Sequence, residues 1–486
     1  MVIRDWGGGK RALPQSLITN LLLPSTKHKR QLMAQLQGIR AQILAVFQNL
    51  GTLLLLAIAF PFNCIVVLAS LLWNFFSQPL SKQVVLIENS KNILIGGGRM
   101  TKTLQLARSF HAAGHRVILF DIHKYWFSGY RFSNAVAGFY TVPDPEKDLE
   151  GYTIALRAIA EQENIDLFVP VGIFARSYFD SKREPVLAGC CENFHFDADT
   201  MKMLDDKFAF AEIARSLSLS VPKTVLITDP EQVLKFDFAN EKNKYILKSI
   251  AYDSIFRLDM TKLPMEPLEK MAVRVRSMPI SKDNPWILQE FIAGKEYCTH
   301  STVRNGELTV YCCCESSAFQ VNYENVDQPE IMQWVSHFVK ELQLTGQISF
   351  DFIQAEDGTV YAIECNPRTH SAITMFYNHP GLADAYLSAT QNFGSLPLQP
   401  LPDSKPTYWL YHEVWRLNEI RSLKQLQTWF KNIWRGKDAI FDVNDPLPFL
   451  MVHHWQIPLL LLDNLRKLKG WVRIDFNIGK LVQVGD

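Results

Sequence analysis

The chain has 486 residues, which is too long for one hydrophobic core and favours two to four domains. Its 50 lysines and arginines almost balance 49 aspartates and glutamates, and this net charge of +1 argues against a nucleic-acid partner. The eight cysteines include the adjacent runs 190–191 and 312–314, a spacing that suits neither a disulfide framework nor a zinc site. They indicate apolar core positions in a reducing compartment, which is typical of the cytoplasm.

The first 88 residues form an apolar N-terminal segment. Three basic residues precede a run from Ala41 to Ser81 that contains no charged side chain and is long enough to span a bilayer. Pro61 and Asn63 divide this run near its middle, which favours a re-entrant hairpin or an interfacial anchor. Residues 42–80 would then contact the inner face of a membrane. A buried apolar element and a single span remain as alternatives.

Residues 89–200 have the pattern of a Rossmann-like α/β domain. A short apolar strand from Asn92, a glycine turn, a helix and a second apolar strand make one βαβ unit with a parallel sheet. The glycines lack the full frame of a dinucleotide fingerprint. Arg176 follows the carboxyl end of a later strand, where open α/β sheets bind ligands, and is therefore a candidate substrate residue. A purely structural or solvated arginine is the alternative.

Residues 201–395 carry most of the candidate chemistry. One helix is predicted from Met201 to Leu219 and contains Lys207. Lys248 is a lone cation in an apolar strand, where a phosphate partner would offset the cost of burying its charge. An edge-strand lysine that reaches water is the alternative. Proline-rich sequence then leads into a C-terminal extension, residues 396–486.

A hairpin near residue 355 is the strongest candidate site. Two strands rich in β-branched and aromatic residues flank the turn Ala-Glu-Asp-Gly. Because side chains alternate along a strand, Asp351, Glu364 and Asn366 fall on one face. Two carboxylates and an amide oxygen suit Mg²⁺, and Arg368 can offer a planar fork to a phosphate. An ordinary solvated hairpin is the alternative.

These motifs, in this order, resemble those of the ATP-grasp superfamily over residues 92–385. The resemblance implies an ATP-grasp fold, α/β and α+β, in which residues 89–200 are the preATP-grasp domain. It also implies a role for each matching residue: phosphate binding by Lys207 and Lys248, adenine and ribose contacts by Gln289, Glu290, Ile292 and Glu296, one or two Mg²⁺ or Mn²⁺ ions on Asp351, Glu364 and Asn366, and catalysis by Lys248 and Arg368, the latter also contacting substrate. Residues 249–257 depart from the family because they contain no glycine, and Ser254 and Arg257 are the candidate substitutes.

More narrowly, the sequence is similar to cyanobacterial-type mycosporine-glycine synthetases. The Leu-Leu-Leu-Pro-Ser-Thr-Lys stretch near the start, the apolar N-terminal segment and the tryptophan-rich C-terminal extension carry this likeness. It implies ATP-dependent condensation of glycine with 4-deoxygadusol through a phosphorylated enol. The alternatives are a carboxylate–amine ligase that forms an acyl phosphate and a membrane-tethered ATP-binding module without chemistry. A homodimer is also left open.

Overall fold

The computed structural model describes residues 26–77, 89–172, 187, 189–251, 253, 255–256, 259–316, 322–387 and 396–483, with the backbone alone for residues 26–37. Three residues with predicted roles, Arg176, Ser254 and Arg257, lie outside the described residues.

The apolar N-terminal segment is one continuous helix, α1 (Thr26–Ser77), with Pro61 inside it. The hairpin break predicted at Pro61 and Asn63 is therefore wrong. A proline in a helix removes one backbone hydrogen bond, but it does not end the helix when packing holds both sides. Here the side chain of Asn63 donates a hydrogen bond to the hydroxyl of Tyr411 at 2.6 Å and lies 2.7 Å from Nε2 of His454. Both partners belong to the C-terminal extension, which holds the helix across its proline.

The Rossmann-like domain is a parallel sheet in the order β3-β2-β1-β4-β5. Its elements are β1 (Asn92–Gly96), α2 (Thr101–Ala112), β2 (Arg116–Ile122), β3 (Gly138–Val142), α3 (Leu149–Gln162), β4 (Leu167–Val169) and β5 (Glu192–Asn193). The apolar strands are buried on both faces, as in parallel sheets covered by helices. The predicted βαβ unit is confirmed, and its glycine turn lies at the carboxyl end of β1.

Two antiparallel sheets follow, and the candidate site lies between them. The smaller has the order β6-β8-β7 and the larger the order β10-β9-β12-β13. The elements of this part are α4 (Ala198–Asp205), α5 (Lys207–Ser216), β6 (Thr224–Ile227), α6 (Pro230–Leu234), β7 (Tyr245–Ser249), α7 (Leu268–Ser277), β8 (Trp286–Glu290), β9 (Gly294–Arg304), β10 (Glu307–Glu315), β11 (Asn322–Tyr323), α8 (Pro329–Glu341), β12 (Gly346–Ala355), β13 (Val360–Asn366) and α9 (Leu382–Leu387). The single helix predicted from Met201 to Leu219 is two helices, because Asp206 ends α4 and caps α5.

The larger sheet has one apolar face and one polar face. Phe350 and Phe352 of β12 pack with Trp334 and Phe338 of α8, and these two α8 rings stack 5.2 Å apart. Because side chains alternate along a strand, the residues between these phenylalanines point away from this core. The polar face is thereby turned towards the candidate site.

The C-terminal extension packs against α1 and the Rossmann-like domain. Its elements are β14 (Thr407–Tyr408), α10 (Leu410–Arg416), α11 (Leu423–Arg435), β15 (Lys437–Asp438), α12 (Leu447–Met451), α13 (Ile457–Arg466), β16 (Arg473–Asp475) and β17 (Lys480–Val482). Asp445 accepts hydrogen bonds from Arg108 at 2.9 Å and from Ser133 at 2.6 Å, which attach the extension to the Rossmann-like domain. Hydrophobic residues of both regions share one core.

Candidate functional site

The hairpin of β12 and β13 places its two carboxylates side by side. Asp351 pairs directly with Glu364 across the strands, and Ser349 pairs with Asn366. The side-chain nitrogen of Asn366 donates to Asp351 at 3.3 Å, and Arg368 donates to the side-chain oxygen of Asn366 at 3.0 Å. Asn366 therefore links Asp351 to Arg368, and Glu364 lies opposite Asp351 on the neighbouring strand.

Two lysines from other elements face these carboxylates. Lys207 begins α5, whose first turn is fixed by Asp206, because the Asp206 carboxylate accepts the backbone N–H groups of Phe208 and Ala209 at 2.8 and 3.0 Å. The ammonium of Lys207 lies 3.4 Å from Oε1 of Glu364. Lys248 comes from β7, the edge strand of the smaller sheet, and Glu364, Asp351 and Glu296 all act electrostatically on it. The edge position is thus correct for Lys248, but its side chain faces the acidic cluster.

Burial and neighbouring charges shift the pKa values of the two carboxyl groups in this cluster in opposite directions. Burial and the neighbouring charge of Glu364 raise the pKa of Asp351 to about 7. Burial also acts to raise the pKa of Glu364, but Lys207, Lys248 and Arg368 outweigh it and hold that pKa below its usual value. Burial lowers the pKa of Lys248, while the carboxylates oppose this shift. The negative charges of the two neighbouring carboxylates are therefore offset by three cationic side chains.

The residues predicted to contact adenine and ribose lie at the rim between the two sheets. Gln289 is buried on the central strand β8, and Ile292 is buried just beyond its end. Glu290 accepts hydrogen bonds from the backbone of Lys223 at 3.1 Å and the side chain of Asn243 at 2.8 Å, so its carboxylate is already engaged within the protein. Glu296 is exposed on β9. These residues lie close together in sequence, at the end of β8, just beyond it and near the start of β9, and their individual roles stay predictions.

Comparison with known protein families identifies this region. The matching family model is described as an ATP-grasp domain and covers residues 204–372, the stretch that carries both lysines and the hairpin. The chain contains an ATP-grasp domain. The two antiparallel sheets with the site between them have the ATP-grasp fold, as predicted.

Three solved structures are similar to this chain. They are the L-amino acid ligase from Bacillus licheniformis (16% identity, TM-score 0.44, 61% of this chain and 69% of that one), N5-carboxyaminoimidazole synthetase from Staphylococcus aureus complexed with ADP (16%, 0.47, 65% and 80%) and a biotin carboxylase–ATP complex from Campylobacter jejuni (15%, 0.48, 63% and 73%). A comparison with curated proteins gave no match.

The ATP-grasp domain has side chains that fit a magnesium ion. Mg²⁺ is usually bound by one or two carboxylates and completes its shell with water and substrate phosphates, and Asp351 and Glu364 supply such a pair. Among the described residues no group of three or more His, Cys, Asp or Glu could hold a metal, so phosphate and water would have to complete the shell. Asn366 now turns its amide nitrogen to Asp351. A ligand role for Asn366 requires the amide to turn over, which would also release Arg368 towards a phosphate.

Sequence reasoning missed a group of polar residues that two domains bring together beside this cluster. They are Lys102, His300, Ser349, Thr369 and His370. Ser349 could have been found, because it lies two residues before Asp351 in the same strand and so shares its face. Lys102 could not, because it belongs to the Rossmann-like domain and reaches the site only in the folded chain: its ammonium donates to the backbone carbonyl of Thr369 at 2.5 Å.

Proposed function

We propose that the protein is an ATP-dependent ligase that condenses glycine with 4-deoxygadusol to give mycosporine-glycine, ADP and phosphate. The observation that supports catalysis is the convergence of Lys207, Lys248 and Arg368 on the Asp351–Glu364 pair from separate elements of the ATP-grasp domain. The proposed substrates rest on the sequence similarity in the two terminal segments.

In the proposed reaction the protein positions ATP and neutralises its phosphates. Lys207 and Lys248 would hold the phosphate chain, and Arg368 would contact the phosphoryl group that is transferred. Mg²⁺, held by Asp351 and Glu364, would supply further charge neutralisation when bound. Most of the rate acceleration would come from this positioning and electrostatic stabilisation.

Two bond exchanges complete the proposed chemistry. The enolic oxygen of 4-deoxygadusol loses its proton and forms a bond to the γ-phosphorus, while the bond from that phosphorus to the ADP oxygen breaks. The amine nitrogen of glycine then bonds to the phosphorylated ring carbon and loses a proton, and the carbon–oxygen bond to phosphate breaks. One ATP is consumed for each carbon–nitrogen bond formed.

The alternative function is a carboxylate–amine ligase that acts through an acyl phosphate. It would use the same lysines and the same carboxylate pair, so the ATP site does not distinguish it. The intermediates differ in reactivity, because hydroxylamine converts an acyl phosphate to a hydroxamate, whereas an enol phosphate gives none.

Purified protein incubated with ATP, Mg²⁺, glycine and 4-deoxygadusol tests the proposal. We expect stoichiometric ADP release and an absorbance change from 4-deoxygadusol to the mycosporine chromophore, both dependent on glycine. Absence of the chromophore would reject the substrates, and hydroxamate formation with carboxylate substrates would support the alternative. A protein that binds ATP but releases no ADP with any acceptor would fit a non-catalytic module.

We also propose that the protein works in the cytoplasm and contacts the inner face of a membrane through residues 42–80. By length and composition the described residues contain one helix able to cross a bilayer, Gly38–Ser77, with 40 residues. Such a helix is about 60 Å long, twice the ~30 Å hydrocarbon core. Its contacts with the globular body extend from Gln48 to Asn74. This length and these contacts support a helix that lies along the membrane surface over one that crosses it.

The distribution of polar groups around α1 supports the same proposal. Gln48, Asn49, Asn63 and Asn74, which recur at helical spacing, bind the C-terminal extension through their side chains. Between Ala41 and Ser77 the opposite face exposes no charged side chain and mostly large apolar residues, among them Leu44, Phe47, Leu54, Leu55, Ile58, Phe62, Ile65, Leu68, Leu72, Trp73, Phe75 and Phe76. A soluble protein rarely leaves so long an apolar face uncovered.

Charge complementarity favours a lipid surface over a second copy of the chain. Helix α11 exposes Leu423, Phe430 and Trp434 on one side, and residues 420–437 contain five basic and no acidic residues. Basic amphipathic helices of this kind bind anionic bilayers. A homodimer that covers α1 is the competing arrangement.

Sedimentation with vesicles decides between the two arrangements. We expect the protein to pellet with vesicles that contain anionic lipid, and the double variant Phe62→Ser, Phe76→Ser to remain in the supernatant. Val273→Ser, which changes an equally exposed apolar residue in the ATP-grasp domain, is the matched control. A dimer that ignores vesicles and dissociates in the double variant would refute the membrane contact.

A further inference from the structure

The polar face of the larger sheet carries a second row of side chains beside the carboxylate row. The strand register that pairs Ile348 with Ser301 and Asp351 with Cys298 places Ser349 opposite His300. On its other side Ser349 pairs with Asn366. This row lies two residues along the strands from Asp351, a distance of about 7 Å. It is therefore within reach of a small molecule that also touches the phosphate site.

Apart from Oγ of Ser301 on the opposite face, three buried polar atoms in this region have no hydrogen-bond partner in the described part of the chain. They are Nε2 of His300, Oγ of Ser349 and Oγ1 of Thr369, and their residues are 0%, 1% and 0% exposed. Leaving a buried polar group without a hydrogen bond is unfavourable, so such groups are uncommon unless a ligand or water pairs with them. Three together beside a phosphate site indicate a binding surface.

The hydrogen bonds of His300 fix what this surface offers. Its Nδ1 accepts the backbone N–H of His370 at 3.2 Å, so in the neutral ring Nε2 carries the proton and is a donor. Burial lowers the pKa of His300 to about 3, which keeps the ring neutral. The hydroxyl groups of Ser349 and Thr369 can each donate as well. The surface presents donors that suit oxygen atoms of a ligand.

Lys102 adds a cation to these donors. It is 2% exposed, its ammonium donates to the backbone carbonyl of Thr369, and no carboxylate among the described residues forms an ion pair with it. Burial and the charge of Arg368 lower the pKa of Lys102 well below its ordinary value. A buried cation of this kind is stabilised by an anionic partner. The same surface would disfavour an ammonium group.

We infer that Lys102, His300, Ser349 and Thr369 form the acceptor subsite of the proposed ligase reaction, and that it binds a compact oxyanion, such as an enolate, with neighbouring hydroxyl or carbonyl groups. This inference rests on the proposed function. The subsite holds the molecule whose oxygen is phosphorylated and not the amine that attacks later. The subsite lies between the Rossmann-like domain, which supplies Lys102, and the larger sheet, which supplies His300 and Ser349.

Calorimetric titration with 4-deoxygadusol in the presence of Mg²⁺ and ADP tests the subsite in the full-length protein. We expect Ser349→Ala and His300→Gln each to weaken 4-deoxygadusol binding at least tenfold while ADP binding stays within twofold of the wild type. Ser301→Ala is the matched control, because Ser301 is equally buried and next to His300 but points to the opposite face. We expect this control to bind both ligands like the wild type.

Four results would overturn the inference: wild-type protein that does not bind 4-deoxygadusol, variants that bind it normally, a parallel loss of ADP binding, or a change confined to the KM for glycine. Two outcomes distinguish a wrong subsite from a wrong reaction. Binding that depends on Ser349 and His300 without formation of the mycosporine chromophore supports the subsite and rejects the reaction. Chromophore formation with an unchanged KM for 4-deoxygadusol in both variants supports the reaction and rejects the subsite.

Discussion

Replacing Glu364 by Gln separates ATP binding from chemistry at this site. The substitution keeps the size of the side chain and removes one of the two carboxylates. Of the paired carboxylates only Asp351 then remains beside the three cations Lys207, Lys248 and Arg368. We expect the loss of a metal ligand to lower ADP release about 10²- to 10³-fold, a change of about 3–4 kcal/mol in the activation free energy.

The same substitution should tighten the binding of metal-free ATP. Lys207 lies 3.4 Å from Glu364, so a phosphate oxygen in contact with Lys207 would lie about 6 Å from the lost charge. Coulomb's law at that distance, with an effective dielectric constant between 20 and 80, gives about 1–3 kcal/mol of relieved repulsion. We expect roughly tenfold tighter binding of ATP in EDTA, because solvent screening favours the lower part of this range.

Two assays and one control check this prediction. ADP release is measured with saturating Mg²⁺, and ATP affinity is measured by calorimetry in EDTA. Glu356→Gln removes the same charge from the exposed turn of the same hairpin and should leave both quantities unchanged. ADP release within threefold of the wild type in Glu364→Gln, or an equal loss in Glu356→Gln, would refute the assignment of the phosphate site.

Three further predictions concern stability and metal dependence. Burial lowers the pKa of His453 to about 3. As the pH falls, His453 is therefore protonated in the unfolded chain before it is protonated in the folded protein. The contribution of the neutral ring to the free energy of unfolding is complete above about pH 6.5 and decreases towards pH 3. The free energy of unfolding should drop by about 2 kcal/mol more between pH 7 and pH 5 in the wild type than in His453→Gln, while His123→Gln on the surface should keep the wild-type profile. Asp121→Asn leaves Arg99 buried without its 2.7 Å ion pair and should lower the free energy of unfolding by about 3–5 kcal/mol in urea denaturation, whereas Glu161→Gln in an exposed pair should change it by less than about 0.5 kcal/mol. EDTA should stop ADP release, and Mg²⁺ or Mn²⁺ should restore it; release that persists in EDTA would exclude a metal-dependent reaction.

Local patterns were sufficient to predict the parts of the site that one hairpin supplies. The alternation of side chains along a strand is enough to place Asp351 and Glu364 on one face, and in the structure the two residues pair directly. The βαβ unit of the Rossmann-like domain was predictable for the same reason, since strand and helix patterns follow each other directly in the chain. These features depend on residues close together in sequence.

The acceptor surface was not predictable because it depends on distant contacts. Lys102 and Thr369 are 267 residues apart in the sequence, and no local pattern relates them. The division of the predicted helix at Asp206 was missed because an aspartate can cap a helix or lie inside one, and only the packing decides. From the sequence, Asn63 was interpreted as a break in the apolar run, but in the structure its side chain binds the C-terminal extension.

The C-terminal extension explains how a helix as apolar as α1 remains attached to an enzyme-like body. The polar side chains of α1 donate hydrogen bonds to the extension: Gln48 to the backbone carbonyl of Trp471 and Asn63 to the hydroxyl of Tyr411. The same extension binds the Rossmann-like domain through Asp445 and through Gln456, whose side-chain oxygen accepts the N–H of Gly129 at 2.8 Å. Because both attachments share one hydrophobic core, α1 and the Rossmann-like domain cannot move independently without opening that core. A membrane surface bound by α1 would therefore hold the body in a fixed orientation, and with it Lys102 at the edge of the proposed acceptor subsite.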